Sequence, residues 1–460
     1  MSSRLLKVWT PEDAAFWERE GKAIASRNLW ISIPSLFLSF AVWMVWSVVV
    51  VNLQSIGFNF PPDKLFWLAA LPGLSGATLR IFYSFMVPIF GGRKWTTIST
   101  ASLLIPAVGI GFAVRDPNTS YATMLALAFL CGFGGGNFAS SMSNISFFYP
   151  KSQKGTALGL NAGLGNLGVS AMQFLVPLVI TTGTFAALCG DPQACIVKGV
   201  QTSVWMQNAG FLWVPFIVAA TLAAWFGMND IADAKASFKD QSIIFKRKHN
   251  WIMCWLYLGT FGSFIGYSAG LPLLIKSQFP AMNPTQYAFL GPLVGALCRP
   301  LGGWIADKLG GARVTFWNFM AMAAAVFGVL HFLPREGYQG NFWGFLGMFI
   351  LMFITTGIGN GSTFRMIPVI FLTERQRAAA NDAKAQAQAV ADAGKEAAAV
   401  LGFSSAFAAY GAFFIPKGFG SSIAATGGPE AALYGFLAFY VSCIALTWYC
   451  YARRNSGMAC

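Results

Sequence analysis

Aspartate and glutamate are scarce: the 460-residue chain has 17, and none falls within a long apolar run. Charged residues of either sign make up 10% of the chain, against 56% hydrophobic, with a mean hydropathy of +0.57. Such a composition excludes a soluble globule and describes a polytopic membrane protein. There are two histidines, His249 and His331, far apart in sequence, and the eight cysteines lack ligand spacing, which excludes a metal site. No Gly-x-x-x-x-Gly-Lys-Ser/Thr loop is present, so ATP is not the energy source, and no cofactor is implied. No nucleophile lies beside a plausible base, and an enzyme reading has no support. The first 28 residues are polar and lack the apolar core of a signal peptide, so the first span is expected to act as its own address.

What the chain does have is apolar length. Runs of about 20 apolar residues predict twelve membrane spans, at 29–53, 65–90, 96–114, 121–149, 156–183, 204–228, 250–275, 284–306, 314–334, 342–371, 397–421 and 431–452. The net charge of +14 does not indicate nucleic acid, because the basic residues are spread over alternate loops and not gathered in a footprint. With the N-terminus in the cytoplasm, 22 of the 31 lysines and arginines fall in inner segments and 5 in outer loops. That asymmetry places both termini in the cytoplasm.

Residues 229–249 form the main polar segment near the middle, dividing the protein into halves at 1–228 and 250–460. The second span of each half carries the same pattern: Gly76-Ala77-Thr78-Leu79-Arg80 and Gly295-Ala296-Leu297-Cys298-Arg299. Eleven residues after each arginine comes a glycine pair, Gly91-Gly92 before Arg93 and Gly310-Gly311 before Ala312-Arg313. A shared interval argues for duplication. Two six-span halves around a polar loop predict an all-α membrane protein of the major facilitator fold, which opens a mid-membrane site alternately to either side. The segment Gly303-x-x-x-Asp307-Lys308-x-Gly310-x-x-Arg313 resembles that superfamily's inner-loop motif. Its first-half counterpart lacks the aspartate, so only one of the paired loops is expected to use a carboxylate.

Arg80 and Arg299 lie well inside apolar spans. Burying a guanidinium at bilayer depth costs about 3 kcal/mol even on the lenient insertion scale, so each is expected to face a cavity and meet negative charge. With no carboxylate in the spans, the expected counter-ion is the cargo, a small anion. Glycines cluster in spans 4, 5, 10 and 11, with Gly132 and Gly136, Gly159 and Gly163, and Gly357 and Gly361 each four apart, a spacing that permits close backbone approach. For any one glycine, ordinary helix packing is the simpler reading. Uncharged polar residues lie among them, including Asn137, Ser140, Ser141 and Asn144, then Asn161 and Asn166, then Asn360, Ser362 and Thr363. Such groups can line a polar path without repelling an anion.

Gly132-Phe-Gly-Gly-Gly-Asn-Phe-Ala-Ser-Ser-Met-Ser-Asn-Ile-Ser-Phe-Phe-Tyr-Pro150 and Gly357-Ile-Gly-Asn-Gly-Ser-Thr-Phe364 resemble the two nitrate signatures of the nitrate/nitrite porter family. The resemblance runs through essentially the whole chain, including the segments around Arg80, Asn166, Tyr257, Phe261 and Lys417. It implies that Arg80 and Arg299 hold the anion, that Asn166 and Tyr257 donate hydrogen bonds to it, and that Phe138 and Phe261 sandwich its plane. Gly135, Asn137, Ser140, Gly163, Gly165, Asn360, Ser362 and Gly411 are the candidate pathway or gating positions. A guanidinium fork suits a flat oxyanion and stays charged at any relevant pH. For Asn166 and Tyr257 the alternative is interhelical glue, and for the two phenylalanines it is lipid contact or core packing. The implied partners are nitrate, nitrite and the bilayer of a bacterial inner membrane, with the protein acting as a monomer.

Arg365 and Lys417 are possible mouth charges or contacts to phospholipid headgroups. Cys189 and Cys195 sit in an outer loop where an oxidising compartment allows a disulfide, and the spacing leaves that bond open. The Ala-rich stretch 378–400 reads as a cytoplasmic helical connector with no evident chemistry. Without a membrane carboxylate to carry a proton, exchange of external nitrate for internal nitrite is the expected mode. Proton-coupled symport is the alternative, and an anion channel or a nitrate sensor stands further off.

Overall fold

The computed structural model describes residues 4–183, 190–197, 200–232, 242–379, 383–453, 458 and 460. Twelve helices are long and apolar enough to cross a membrane: α1 (Ala14–Asn52), α2 (Pro62–Tyr83), α3 (Gly92–Ala113), α4 (Tyr121–Phe148), α5 (Lys151–Thr181), α6 (Asn208–Gly227), α7 (Lys248–Gln278), α8 (Pro284–Leu309), α9 (Gly311–Phe332), α10 (Phe342–Ala378), α11 (Gln388–Thr426) and α12 (Glu430–Ala452). All twelve predicted spans are present, and several helices outrun them. Hydropathy marks only the apolar part of a helix, whereas backbone hydrogen bonding continues into polar turns. The Ala-rich stretch is the clearest case: one helix, Ala383–Ala409, carries it directly into the eleventh span.

These extensions also place acidic residues in helical turns, Asp307, Glu374 and Glu396 among them. Glu396 is buried, and accepts hydrogen bonds from Arg247 at 3.0 Å and from Arg375. The connector therefore does carry chemistry, contrary to expectation, as the carboxylate tying the start of α7 to the end of α10.

The chain folds into two compact units. The first comprises Met1–Lys235, Ser268–Phe289 and Ala412–Gly420, and the second Ala236–Tyr267, Leu290–Gly411 and Ser421–Cys460. Within the first, α5 is joined to the later part of α7 by Gln173, which donates to Ser268 O at 2.7 Å and to Ser47 Oγ on α1 at 3.0 Å. The Ala412–Gly420 stretch lies on α2, where Gly73 abuts the Ala412 backbone and Phe413 packs on Trp67.

On the side of the lysine- and arginine-rich loops, the first unit is tied by a small parallel pair of strands. β1 (Leu5–Leu6) pairs with a segment beyond α6, Asp230–Ile231. Asn28 and Asn229 exchange hydrogen bonds beside it, at 2.9 and 3.1 Å. Asp230 then caps the start of α3: its carboxylate accepts from Arg93 N at 2.9 Å and Arg93 Nε at 3.1 Å. The inner loop without an aspartate thus does use a carboxylate, correcting the expectation above. Sequence distance concealed it, because the group arrives from 137 residues away.

Between α5 and α6, β2 (Gln193–Val197) and β3 (Val200–Val204) form an antiparallel pair. Cys195 is buried on β2, and the candidate partner Cys189 lies outside the described residues.

Candidate functional site

In the first unit, Arg80 is fully buried near the end of α2. Its Nε donates to Gly135 O of α4 at 2.9 Å, and its guanidinium carbon lies 4.7 Å from the Phe138 ring centre and 5.2 Å from that of Trp43. Both rings offer the negative face of a π-system to the cation. The local sequence makes this possible. A Cβ on Gly76 or Gly135 would run into the other helix's backbone or the Trp43 indole, so two glycines let α2 and α4 cross with the indole against them. Ser75 Oγ donating to Phe129 O at 2.7 Å and Gly132 against Ser75 extend the same crossing.

Asn137, one residue before Phe138, faces the other way. Its Nδ2 donates to Ser39 Oγ at 2.9 Å and to Ser99 O at 3.2 Å, while its Oδ1 is buried without a hydrogen-bond partner among the described residues. Together with Ser140, Ser32, Thr96 and Thr100 it lines a cavity of about 10 Å³ among α1, α3 and α4, the size of one water. Asn166 on α5 is 1% exposed, and its Oδ1 also has no partner among the described residues. Gly165 beside it packs on Leu36 of α1. The close approach expected at Gly159 and Gly163 is absent: among the described residues, a Cβ at either would meet nothing within 4 Å. Four-residue spacing puts two glycines on one face, but does not by itself bring a neighbour into contact with it.

In the second unit, Arg299 on α8 is half-buried. Its Nη2 donates to Tyr257 OH at 3.3 Å, its guanidinium carbon lies 5.3 Å from the Phe364 ring centre, and its buried Nη1 has no hydrogen-bond partner among the described residues. Tyr257 stacks on Phe261 with ring centres 5.6 Å apart at 16°. The pair spans a π-helical turn, Leu258–Gly262, which interrupts α7; such turns concentrate at functional sites. Gly411 on α11 lies directly on the Gly262 backbone, leaving no room for a side chain.

Glycines also set the α8–α10 crossing. Gly357 abuts the carbonyl of Gly295, and Gly361 the carbonyl of Arg299 itself. Ser362 shares a hydrogen bond with Thr315 of α9 at 2.8 Å, and Asn360 is buried with Oδ1 unpartnered among the described residues. Arg365, a candidate mouth charge, donates to Asp307 Oδ1 at 2.8 Å, engaging the carboxylate of the inner-loop motif. Lys417 belongs to the first unit, where its ammonium stands 4.9 Å from the Trp67 ring centre.

Each arginine is therefore grouped with a subset of its predicted companions: Arg80 with Gly135 and Phe138, Arg299 with Tyr257 and, through it, Phe261. Two neighbours were not foreseen, Trp43 and Phe364. Phe364 ends the second signature and was legible as part of it. Trp43 is one of 16 tryptophans, 37 positions before Arg80, with no spacing to mark it. Fixed cations and aromatic faces can bind a small anion, whereas the unpartnered amide atoms of Asn137, Asn166 and Asn360 are oxygens, which only accept; no carboxylate among the described residues pairs with Arg299.

The model of the Major Facilitator Superfamily matches residues 35–391. Among solved structures, a bacterial homolog of the human lysosomal transporter Spinster, inward-facing and occupied, is similar in fold, with a TM-score of 0.63 at 15% identity, covering 92% of this chain and 96% of that one. The chain is a multi-pass membrane protein that belongs to the Major Facilitator Superfamily. The nitrate/nitrite transporter NarU of Salmonella typhimurium (strain LT2) is 53% identical over 458 residues, 98% of this chain and 97% of that protein. The probable nitrate/nitrite antiporter NarK2 of Thermus thermophilus is 43% identical over the same shares of each. Within the superfamily, the chain belongs to the nitrate/nitrite porters.

Proposed function

We propose that this protein carries nitrate and nitrite across a bacterial inner membrane, exchanging external nitrate for internal nitrite, with both termini in the cytoplasm. Arg299 carries the reading: a guanidinium in a membrane helix with one buried nitrogen unpartnered among the described residues and the other on a long, 3.3 Å bond to Tyr257. Leaving such a donor unmet costs about 1–3 kcal/mol or more, so the residue is poised for an acceptor that arrives and leaves. The relatives' names supply the identity of that acceptor. Arg80 offers the second guanidinium, Asn166 and Tyr257 offer hydrogen bonds, and Phe138 and Phe261 favour a planar ion over a tetrahedral one.

Exchange is favoured over proton symport by where the buried carboxylates lie. Among the described residues these are Asp230 and Glu396, and both are ion-paired to other arginines, Arg93 for the first and Arg247 and Arg375 for the second. Neither is available to carry a proton with the anion. In the exchange reading, the transition between halves 1–228 and 250–460 occurs with an anion neutralising the arginines and is opposed without one.

The test is counterflow in proteoliposomes. Nitrate uptake is expected to need internal nitrite or nitrate and to ignore chloride and phosphate. Fast entry into vesicles empty of both, or uptake driven by a pH gradient alone, overturns exchange. Wild-type rates in both Arg80→Lys and Arg299→Lys overturn the anion site.

A further inference from the structure

The duplicated Gly-Ala-x-x-Arg motif does the same steric work twice. In the second half a Cβ on Gly295 would meet the Phe264 ring of α7 at 2.8 Å; in the first, one on Gly76 would meet the Trp43 indole of α1 at 2.5 Å. Each glycine thus opens a slot for one ring from the first helix of its half. The occupants differ in chemistry. Phe264 has no polar atom, whereas Trp43 Nε1 donates to Pro72 O at 2.7 Å. The rings also differ in what they touch. The guanidinium of Arg299 lies over Phe364, a residue of α10, while that of Arg80 lies over Trp43 itself as well as over Phe138.

We infer that Trp43 is a positioning residue for anion recognition, holding the plane of the Arg80 guanidinium from its glycine slot. The inference rests on the reading of Arg80 as an anion ligand. Trp43 is 0% exposed and its indole is fixed on every side that bears on the arginine. The N–H is tied to α2, the helix that carries Arg80; Gly76 and Gly135 floor the slot; and Phe40 packs against both Trp43 and Phe138, at 5.7 and 6.0 Å. Gly135 O fixes Nε of the same guanidinium from α4. A ring and a carbonyl are enough to set both tilt and rotation of a planar cation, and a planar cation so fixed presents its fork in one orientation. Lysine has no plane to hold, so the orienting role of this ring, as distinct from its packing and its bond to Pro72 O, exists only beside arginine.

The experiment is nitrate/nitrite counterflow in proteoliposomes with Trp43→Leu, Trp43→Phe and Arg80→Lys, read as KM and maximal rate per folded transporter, with monodispersity and melting temperature recorded for each. Trp43→Leu is expected to raise the KM for nitrate about tenfold, with the maximal rate within about twofold of wild type. Trp43→Phe keeps an aromatic face without the donor and is expected to rescue part of this, to about threefold. A wild-type KM in Trp43→Leu, or a loss confined to maximal rate and folded yield, overturns the positioning role. Should Trp43→Leu not fold, Trp43→Phe decides alone, and an unchanged KM there overturns it. Arg80→Lys separates the two ideas: wild-type kinetics in that variant remove the anion-ligand reading itself, whereas a defective Arg80→Lys beside an unchanged Trp43→Leu removes only the role of Trp43.

Discussion

The two arginines are held by different means, and the difference predicts how each variant behaves. Arg80 is anchored through Nε to a backbone carbonyl, so its fork is directed by the fold. Arg299 leans on a tyrosine hydroxyl at 3.3 Å, near the limit of a hydrogen bond, so its fork is held less tightly by the fold and, in the proposed site, is left for the anion to direct. Arg299→Lys keeps the charge and loses the fork. Charge-assisted hydrogen bonds contribute about 1.5–3 kcal/mol, so nitrate affinity should fall about 10- to 100-fold, read from counterflow KM. Tyr257→Phe removes a neutral hydroxyl that makes one long, 3.3 Å hydrogen bond to the guanidinium and leaves both charges in place, so it should cost less, about three- to tenfold. A Tyr257→Phe loss as large as that of Arg299→Lys would mean that the hydroxyl, not the guanidinium, is the principal ligand. The arginines were legible because charge in an apolar run is conspicuous and the motif repeats. Trp43 was not, because an apolar aromatic in an apolar helix carries no mark until the crossing partner is known.

At the scale of helices, glycine spacing is a two-sided signal. Gly357 and Gly361 are four apart and lie on the backbone of α8; Gly159 and Gly163 are equally four apart and meet nothing among the described residues. Periodicity reports which residues share a face, whereas what covers that face is set by the rest of the chain. The two cases diverge on substitution. A Cβ at Gly361 would overlap the Arg299 carbonyl and crowd the Gly303 nitrogen, backbone atoms that cannot swing aside, so α8 and α10 must part. Gly361→Ala should cost about 1–3 kcal/mol, seen as a lower melting temperature in detergent. Gly159→Ala fills open space in an exposed helical turn and should be neutral or stabilising by up to about 1 kcal/mol. Equal destabilisation by both would show that α5 carries a close contact the spacing implied. The π-helical turn of α7 was likewise invisible in sequence, since Leu258-Gly-Thr-Phe-Gly262 has no composition that separates it from ordinary helix. It coincides with a tight backbone contact, where Gly262 lies against both Ala408 O and Gly411.

For the molecule as a whole, the segment joining the predicted halves is fastened at each end by a buried carboxylate. Asp230 holds one end to α3 and, through β1, to the N-terminal segment; Glu396 with Arg375 holds Arg247 at the other. Neither carboxylate belongs to the motif that suggested a loop aspartate. That motif's own Asp307 pairs with Arg365 nearer the surface, the two side chains being 64% and 34% exposed, against 9% and 8% for Asp230 and Arg93. Exposure decides which pair matters for stability. An exposed pair is screened and contributes about 0–1 kcal/mol, whereas removing one member of a buried pair strands the other and costs about 3–5 kcal/mol. Asp230→Ala should therefore lower stability by about 3–5 kcal/mol and Arg365→Gln by less than about 1 kcal/mol, compared by thermal unfolding of purified protein. Asp230→Asn separates the two duties of that side chain. An amide oxygen can still accept from the Arg93 backbone N–H and preserve the helix cap, but it leaves the guanidinium without its charge partner; its contact to the Trp225 carbonyl at 3.2 Å and its position 4.5 Å from the Trp225 ring remain. Asp230→Asn should fall between the other two variants. If it unfolds as readily as Asp230→Ala, the ion pair dominates the anchor, and if it matches wild type, the anchor is the cap alone.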